Sequence, residues 1–174
     1  MKKIITVIVF VTGILLENNS NAQVKIGYIS IENMISIMPE TGKIDSILER
    51  YQGDSLNTMY SELVKTYQYK DSLYRDCLKT PALVRKQIEG ELPSLIYQIQ
   101  NWQDISNQAM QAKQNLLLQP IYIKVYDAIK LVAKEKGYTH VLNKEAILVA
   151  PDGDDLIKLV AAKLKVPIPS NPNR

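Results

Sequence analysis

The residues Leu78-Lys79-Thr80-Pro81 separate two long amphipathic segments of the chain. A residue that precedes proline is driven out of the α-helical region, so a helix that reaches this point must end near Thr80. In both flanking segments, apolar side chains recur at steps of three and four residues, which places them along one side of a helix. These residues are Ile44, Ile47, Leu48, Tyr51, Leu56, Met59, Tyr60, Leu63, Tyr67 and Tyr74 before the break, and Val84, Ile88, Leu92, Leu95, Ile99, Trp102, Ile105, Ala109, Leu116 and Leu117 after it.

Two narrow apolar stripes of similar length predict an antiparallel coiled coil, a helical hairpin over residues 42–119. At a rise of 1.5 Å per residue, each arm would extend roughly 55 Å, well beyond the diameter of a compact domain. The hairpin must therefore project from the body that the remaining residues form. Gly90 and Pro93 interrupt the helical pattern of its returning arm, and the sequence leaves open whether the helix itself breaks there.

The residues before the hairpin, 23–41, predict one strand and one short helix of a small body. Val, Ile and Tyr alternate with other residues over positions 24–29, as in a half-buried strand. Ser30 is suited to cap a helix that Pro39 then stops.

The residues after the hairpin, 120–166, predict the rest of the body. Pro120 should kink a helix that ends at Gly137, a residue suited to the left-handed C-terminal position. Residues 138–142 and 146–150 are rich in β-branched and apolar side chains, and the short polar stretch between them predicts a β-hairpin.

The predicted fold class is therefore α+β and mostly α, with a long hairpin on a small body that contains three strands. Asp154 would cap a final helix, and residues 167–174, which include three prolines, form an irregular tail. Three strands leave the edges of a sheet open, and residues 146–150 are apolar on both faces. This combination predicts an oligomer whose bodies merge while the hairpins project.

The first 22 residues predict a cleavable export signal. Two lysines precede an uncharged apolar run over residues 4–16, and Ser20 and Ala22 supply the small residues of a cleavage site. The run is shorter than the roughly 20 residues that span a bilayer, which disfavours a retained membrane anchor. The mature chain would begin at Gln23.

The charge of the chain is nearly balanced, with a formal net charge of +3, and implies no nucleic-acid partner. Between Lys65 and Lys86, however, there are six basic residues and two acidic ones, so the hairpin tip is locally positive. This charge either keeps an exposed tip soluble or attracts acidic partners. The second alternative includes weak contact with a membrane surface.

The sequence contains no set of side chains typical of an enzyme. Cys77 is the only cysteine and His140 the only histidine. Asp152, Asp154 and Asp155 are spaced like part of a calcium loop, but the later bidentate glutamate is missing. There is also no glycine-rich phosphate loop. We therefore predict no catalytic activity, no bound metal and no cofactor.

Four parts of the chain, taken in order, resemble one family. They are Lys25-Ile26-Gly27-Tyr28-Ile29 after the signal, the hairpin itself, Leu117-Leu118-Gln119-Pro120-Ile121, and Ala128-Ile129-Lys130-Leu131-Val132-Ala133-Lys134-Glu135-Lys136-Gly137-Tyr138. No one of them is a strong motif. Their order and spacing over essentially the whole mature chain resemble the OmpH/Skp family of periplasmic chaperones of outer-membrane proteins.

The resemblance implies a periplasmic homotrimer in which strands of three chains form a common barrel-like body. Three hairpins would extend from it as tentacles around a cavity that holds an unfolded outer-membrane protein. The implied function is that of an ATP-independent holdase, and the alternative is a static coiled-coil scaffold or adaptor of the cell envelope. Skp itself is strongly basic, whereas this chain is nearly balanced, so lipopolysaccharide binding is not carried over.

Two groups of residues are candidate sites under this resemblance. Tyrosines suit weak contacts with many client sequences, and Tyr67 and Tyr69 cannot face the same way on a helix, so at least one should point away from the seam. The client-binding candidates are Tyr60, Tyr67, Tyr69, Tyr74, Lys79, Arg85 and Lys86. The trimer-interface candidates are Ile26, Tyr28, Val141, Ile147, Leu148 and Val149.

Overall fold

The computed structural model describes residues 24–168, which form a mostly helical α+β fold with a small sheet. The predicted fold class is confirmed. The helices and strands are β1 (Ile26–Ile29), α1 (Ile31–Ser36), α2 (Ile44–Arg50), a π-helical segment (Tyr51–Leu56), α3 (Asn57–Arg75), α4 (Ala82–Gln100), α5 (Trp102–Lys136), β2 (His140–Asn143) and α6 (Ile157–Leu164). Short 3-10 turns lie at Thr41–Lys43, Lys144–Ala146 and Asp152–Asp154. The predicted signal peptide and most of the predicted tail lie outside the described residues.

The outgoing arm of the hairpin is one continuous helical rod from α2 through the π-helical segment to α3. Its 32 residues correspond to about 48 Å at the usual helical rise. It ends at Asp76, where ψ changes to 84°. Pro81 then occupies the N-cap position of α4, with ψ at 145°. The helix break predicted at Thr80-Pro81 is confirmed.

The π-helical segment Tyr51–Leu56 was not predicted. A π-helical turn contains one extra residue, so it brings residues five positions apart to the same side of the helix. Leu56 is buried there, and the Tyr51 ring faces α5, with Lys113 Nζ 5.4 Å from its centroid. Tyr51 and Leu56 both belong to the apolar stripe predicted above, and their separation of five positions, which an α-helix does not accommodate on one side, is the separation that a π-helical turn brings together.

The returning arm consists of α4 and α5, which are separated only at Asn101 (φ −101°, ψ 15°). Gly90 and Pro93 do not break the helix of this arm, because both lie inside α4. Pro120 likewise lies inside α5, which continues to Lys136. A proline removes only one hydrogen bond of a helix, and the bonds on either side keep these helices continuous.

The sheet has two parallel strands, paired in the register Ile26↔His140 to Ile29↔Asn143. At the edge of β1 that faces away from β2, Tyr28 forms an isolated β-bridge with Asp155, and the Leu156 N–H donates to the Tyr28 carbonyl at 2.9 Å. The predicted β-hairpin is therefore wrong. After β2 the chain makes a 3-10 turn, and residues 147–150 are not paired with any strand of the described chain.

Strand β1 is more deeply buried than its alternating sequence predicted. Gly27, Tyr28 and Ile29 are all buried, because α5 and α6 contribute to a core that covers the strand. A Cβ atom on Gly27 would lie 2.9 Å from the Tyr138 ring, so any other residue requires the surrounding side chains to shift.

The helix ends predicted at Ser30 and Gly137 are as expected. Ser30 caps α1 by accepting from the Asn33 N–H at 3.3 Å, and Gly137 ends α5 in the left-handed region at φ 71°. The predicted Asp154 cap is wrong, because Leu156 occupies the N-cap position of α6 and no side chain caps the helix there. Asp155 Oδ1 accepts from the Ile157 N–H at 2.9 Å, whereas Asp154 belongs to the preceding 3-10 turn.

The hydrophobic core lies in the body and at the base of the hairpin, where α1, α5 and α6 meet the sheet and the start of α2. Its buried residues are Ile29, Met34, Ile35, Met38, Ile44, Ile121, Val125, Ala128, Ile129, Val132, Leu156, Val160, Ala161 and Val166. Within residues 24–168, no helix combines the length and apolar character needed to cross a membrane.

Candidate functional site

The seam of the hairpin buries few side chains. Beyond the π-helical segment, only Thr80 and Ile88 are buried between residues 57 and 120. Near the middle of the arm, the rings of Tyr60 and Trp102 pack at 5.4 Å between centroids, tilted by 38°. A single seam leaves the outer faces of both arms exposed to solvent, so many apolar side chains there have no partner within the chain.

The four predicted tyrosines differ in how they are presented. Tyr69 is 65% exposed, whereas Tyr67 and Tyr74 are half-buried. Tyr67 and Tyr69 therefore face different ways, as their spacing on the helix predicted. Tyr60 is still 39% exposed beside Trp102. Tyr97 was not among the predicted client-binding residues, although it is as exposed as Tyr69. Helix spacing alone does not say which side of a helix is covered, so the exposure of Tyr97 could not be predicted from the sequence.

A hydrogen-bonded turn fixes the hairpin tip. Asp76 Oδ1 accepts from the N–H groups of Leu78 (3.2 Å) and Lys79 (3.0 Å). This turn presents the Leu78 side chain to solvent at 98% exposure, and Leu83 on the first turn of α4 is exposed at 81%. The tip is therefore both apolar and basic.

The predicted basic residues of the tip have no carboxylate partner among the described residues. Arg85 Nη1 instead donates to Cys77 Sγ at 3.1 Å, and Lys79 and Lys86 are exposed. The basic residues farther from the tip are paired: Lys65 with Glu62, Lys70 with Glu91 and Arg75 with Asp71. Hydrogen bonds from Lys70 and then Gln87 lower the pKa of Glu91. The tip therefore carries positive charge that no carboxylate of the described chain neutralises.

The predicted interface residues fall into two environments. Tyr28 is buried inside its own chain, Val141 is half-buried, and Ile26 is exposed at 48%. Leu148 and Val149 have almost no contact with the rest of the chain, at 103% and 91% exposure. Together with Tyr28 and Ile147, they line a groove of about 300 Å³ beside the sheet.

The segment that carries these exposed residues is held to the body at its start. Ser30 Oγ donates to Glu145 Oε1 at 2.5 Å, and this hydrogen bond lowers the pKa of Glu145. Lys144 Nζ lies 3.7 Å from Asp155 Oδ2. These contacts fix the position at which the unpaired residues 147–150 begin.

One wide apolar groove was not predicted. It lies on α5, where the hairpin joins the body, and has a volume of about 650 Å³. It is lined by Ala112, Asn115, Leu116, Leu118, Gln119, Tyr122, Ile123 and Tyr126. A second stripe at steps of four and three, from Ala112 through Leu116, Gln119 and Ile123 to Tyr126, was the signal in the sequence. Leu116 was instead predicted to lie on the seam of the hairpin, and Ile123 and Tyr126 were assigned to no face.

The family profile of OmpH-like outer membrane proteins matches residues 25–164 of this sequence. The chain belongs to the OmpH-like family. Among solved structures, this OmpH-like chain is similar to a Caulobacter crescentus CB15 protein assigned as an outer membrane chaperone (OmpH-like), with a TM-score of 0.50. The two are 14% identical over 81% of this chain and 83% of the other, a likeness that concerns the fold alone. No curated protein sequence matches the chain significantly.

The histidine and aspartates that the sequence offered as possible catalytic or metal-binding residues make local hydrogen bonds and ion pairs in the OmpH-like chain. His140 is exposed on β2, with Nδ1 3.1 Å from Thr139 Oγ1. Asp155 accepts a hydrogen bond from the Ile157 N–H at the start of α6 and pairs with Lys144. Over residues 24–168, no group of three or more His, Cys, Asp or Glu side chains is arranged to hold a metal ion.

Proposed function

We propose that this OmpH-like chain is a periplasmic holdase that binds unfolded outer-membrane proteins without ATP and prevents their aggregation. Membership of the OmpH-like family supports a chaperone role, as does the description of the related Caulobacter crescentus protein as an outer membrane chaperone. The observation that carries the proposal is the hairpin itself. It is a long pair of helices whose exposed apolar side chains lie outside any core.

The apolar contacts of the arms suit a holdase because each is small. An exposed tyrosine or leucine buries only part of its surface against a client, at about 25 cal/mol per Å² of apolar area. Single contacts are thus weak and reversible, and many of them acting together retain an unfolded chain. Tyr60, Tyr67, Tyr69 and Tyr74 are candidates for these contacts, and exposure adds Tyr97.

The mature protein in this proposal is a homotrimer with the client held between three hairpins. Exposed Leu148 and Val149, next to a two-stranded sheet, support association at the body, because such residues and unpaired strand edges favour pairing with another copy. Tyr28 contributes to this interface only through the groove it lines, since its ring is covered by its own chain.

The basic tip is proposed to speed the encounter with acidic clients. Lys79 and Lys86 have no acidic partner among the described residues, so their charges act on the surroundings. Exposed charges raise the association rate more than they prolong a complex. Lasting contacts would come from the apolar sides of the arms.

A weak contact of the tip with anionic membrane surfaces is a second candidate function. Leu78 and Leu83 protrude beside Lys79 and Lys86, and each basic residue near an anionic bilayer contributes about 1 kcal/mol. Flotation with vesicles that contain anionic lipid tests it. Binding should fall with salt and in Leu78→Ser, and equal binding of both proteins would refute it.

The decisive experiment compares the holdase with the static scaffold. A denatured outer-membrane β-barrel protein is diluted from urea into buffer with and without the purified mature chain, and light scattering is recorded in the absence of ATP. A holdase suppresses scattering at a small molar excess. If scattering is unchanged while the protein remains folded, the scaffold alternative is favoured.

A further inference from the structure

Helix α5 has two apolar faces, and only one of them belongs to the core. Ile121, Val125 and Val132 are buried against the body. On another side of the same helix, Leu116 is 61% exposed, Ile123 55% and Tyr126 47%. No other element of the described chain covers this second face, which forms the groove of about 650 Å³.

The dimensions of this groove fit an extended polypeptide. Residues 112–126 of α5 cover about 21 Å, which corresponds to about six residues of a β-strand at 3.3 Å each. Successive groove residues four positions apart are separated by about 6 Å along the helix, close to the spacing of alternate side chains in a strand. A strand laid along the helix can therefore place every second side chain against the groove.

Two amide side chains lie along the same groove. Asn115 and Gln119 are one helical turn apart, exposed, and make no side-chain hydrogen bond to the rest of the described chain. Each amide offers both donors and an acceptor, as the backbone of an extended chain requires. A bound strand would otherwise lose the hydrogen bonds of its backbone to water on one side.

The groove contains no ionisable side chain other than its two tyrosines. The two nearest lysines on α5 are engaged elsewhere: Lys113 Nζ lies 5.4 Å from the centroid of the Tyr51 ring, and Lys124 Nζ donates to Glu40 Oε1 at 2.5 Å. The second contact lowers the pKa of Glu40. A neutral groove provides no partner for a charge that would be desolvated there. It favours an uncharged polypeptide segment over nucleic acid or an anionic lipid.

We propose that this groove binds one extended, uncharged segment of an unfolded polypeptide, whose alternating apolar side chains contact Leu116, Ile123 and Tyr126. Asn115 and Gln119 hydrogen-bond to the backbone of that segment. This inference rests on the proposed holdase function and deepens it, because it places strand-like segments of the client at the root of the hairpin. The arms and their tip then hold and attract the rest of the client.

The test uses the mature chain and fluorescent ten-residue peptides, measured by anisotropy. One peptide alternates apolar residues with serine and threonine, a second has the same composition with the apolar residues clustered, and a third alternates apolar residues with glutamate. The groove variant carries Leu116→Asn and Ile123→Asn. Its matched control is Leu131→Asn, because Leu131 is 50% exposed on the same helix but outside the groove.

The unmodified chain should prefer the alternating neutral peptide. The groove variant should bind it about tenfold more weakly, with unchanged helical content and solution mass, while the control binds normally. Equal binding by the groove variant and the control would overturn the proposal. Loss of the oligomer in the groove variant, with peptide binding retained, would also overturn it and show that the groove contacts a second copy of the chain.

A second variant separates these occupants without deleting apolar contacts. Gln119→Leu removes a backbone partner but makes the stripe more apolar. Under the proposal it weakens peptide binding, whereas a contact between copies would be strengthened and peptide binding unaffected.

The holdase assay is run in parallel. If the unmodified chain binds the peptide but holds no outer-membrane protein, the proposed function fails and the groove remains. If the groove variant no longer binds the peptide but still prevents aggregation of the outer-membrane protein, the proposed holdase function stands and the groove is not where the client binds.

Discussion

Individual glycines of this chain illustrate how space at one residue decides the effect of a substitution. Gly27 lies in β1, where an added Cβ would approach the Tyr138 ring at 2.9 Å and Leu156 Cδ1 at 3.1 Å. Gly90 lies inside α4, where an added Cβ would meet nothing within 4 Å. The same change to alanine should therefore act in opposite directions at the two sites.

Gly27→Ala should destabilise the protein by about 1–3 kcal/mol because the core must shift to accept the methyl group. Gly90→Ala should stabilise it by about 0.5–1 kcal/mol because alanine is the better helix former. Urea unfolding followed by circular dichroism measures both. A Gly27→Ala protein as stable as the parent would mean that β1 is not packed against Tyr138.

Lys79 and Lys86 should control the speed of client capture. Replacing both with glutamate should slow association with an unfolded outer-membrane protein and flatten its dependence on salt, since screening at physiological ionic strength acts over about 8 Å. Dissociation should change less. Arg85 is retained because it contacts Cys77 in the turn.

Stopped-flow fluorescence at several salt concentrations measures these rates. Lys158→Glu, an exposed change on α6 in the body, is the matched control. If that control slows association as much as the double variant, net charge and not the tip controls the encounter.

At the scale of the elements, the hairpin and the body differ in how much each residue buries. The arms share one seam with few buried side chains, whereas residues 121–132 of α5 contribute five residues to the core. Elements with little buried apolar area open more easily than those in a core. The same α5 therefore joins a weakly held arm to a firmly held body.

Hydrogen exchange should be faster over residues 59–95 than over residues 121–136. The comparison stops at 136 because residues 147–149, although in the body, are not paired with a strand of their own chain. Mass spectrometry of peptic fragments over a time course from seconds to hours measures the difference. Equal protection of the two regions would show that the arms are covered by something else, such as other copies of the chain.

At the scale of the whole molecule, assembly depends on residues that the single chain leaves uncovered. Leu148→Lys should dissociate the proposed trimer without unfolding the monomer, because this side chain is fully exposed within one chain and a charge cannot remain unpaired in a buried interface. Light scattering coupled to size exclusion gives the mass. Leu131→Lys is the control, and a trimer that persists in Leu148→Lys would place the interface elsewhere.

Shortening the hairpin should separate holding from folding. Replacing residues 58–103 with a short turn removes α3, α4 and the Tyr60–Trp102 contact but none of the buried core residues. The body should remain folded, while aggregation of an unfolded outer-membrane protein should no longer be suppressed. Full suppression by the shortened chain would identify the body, including the root of α5, as sufficient for binding.

Local chemistry was enough to predict several features of this fold. The break before Pro81, the Ser30 cap and the left-handed Gly137 each depend on one residue and its immediate neighbours. The antiparallel hairpin follows from apolar spacing over many residues. Neither kind of feature requires knowledge of distant parts of the chain, so both are visible in the order of the residues.

Other features depend on which distant residues meet. The partner of β1 is the parallel strand β2, more than a hundred residues later, and the approach of Leu156 to Tyr28 covers the other side of β1. The apolar sequence of residues 146–150 is compatible with a strand. No strand of the described chain lies beside it to form the hydrogen bonds of a sheet. In the same way, spacing marks both stripes of α5 as apolar. Which one is buried and which one forms a groove depends on the body that packs against it.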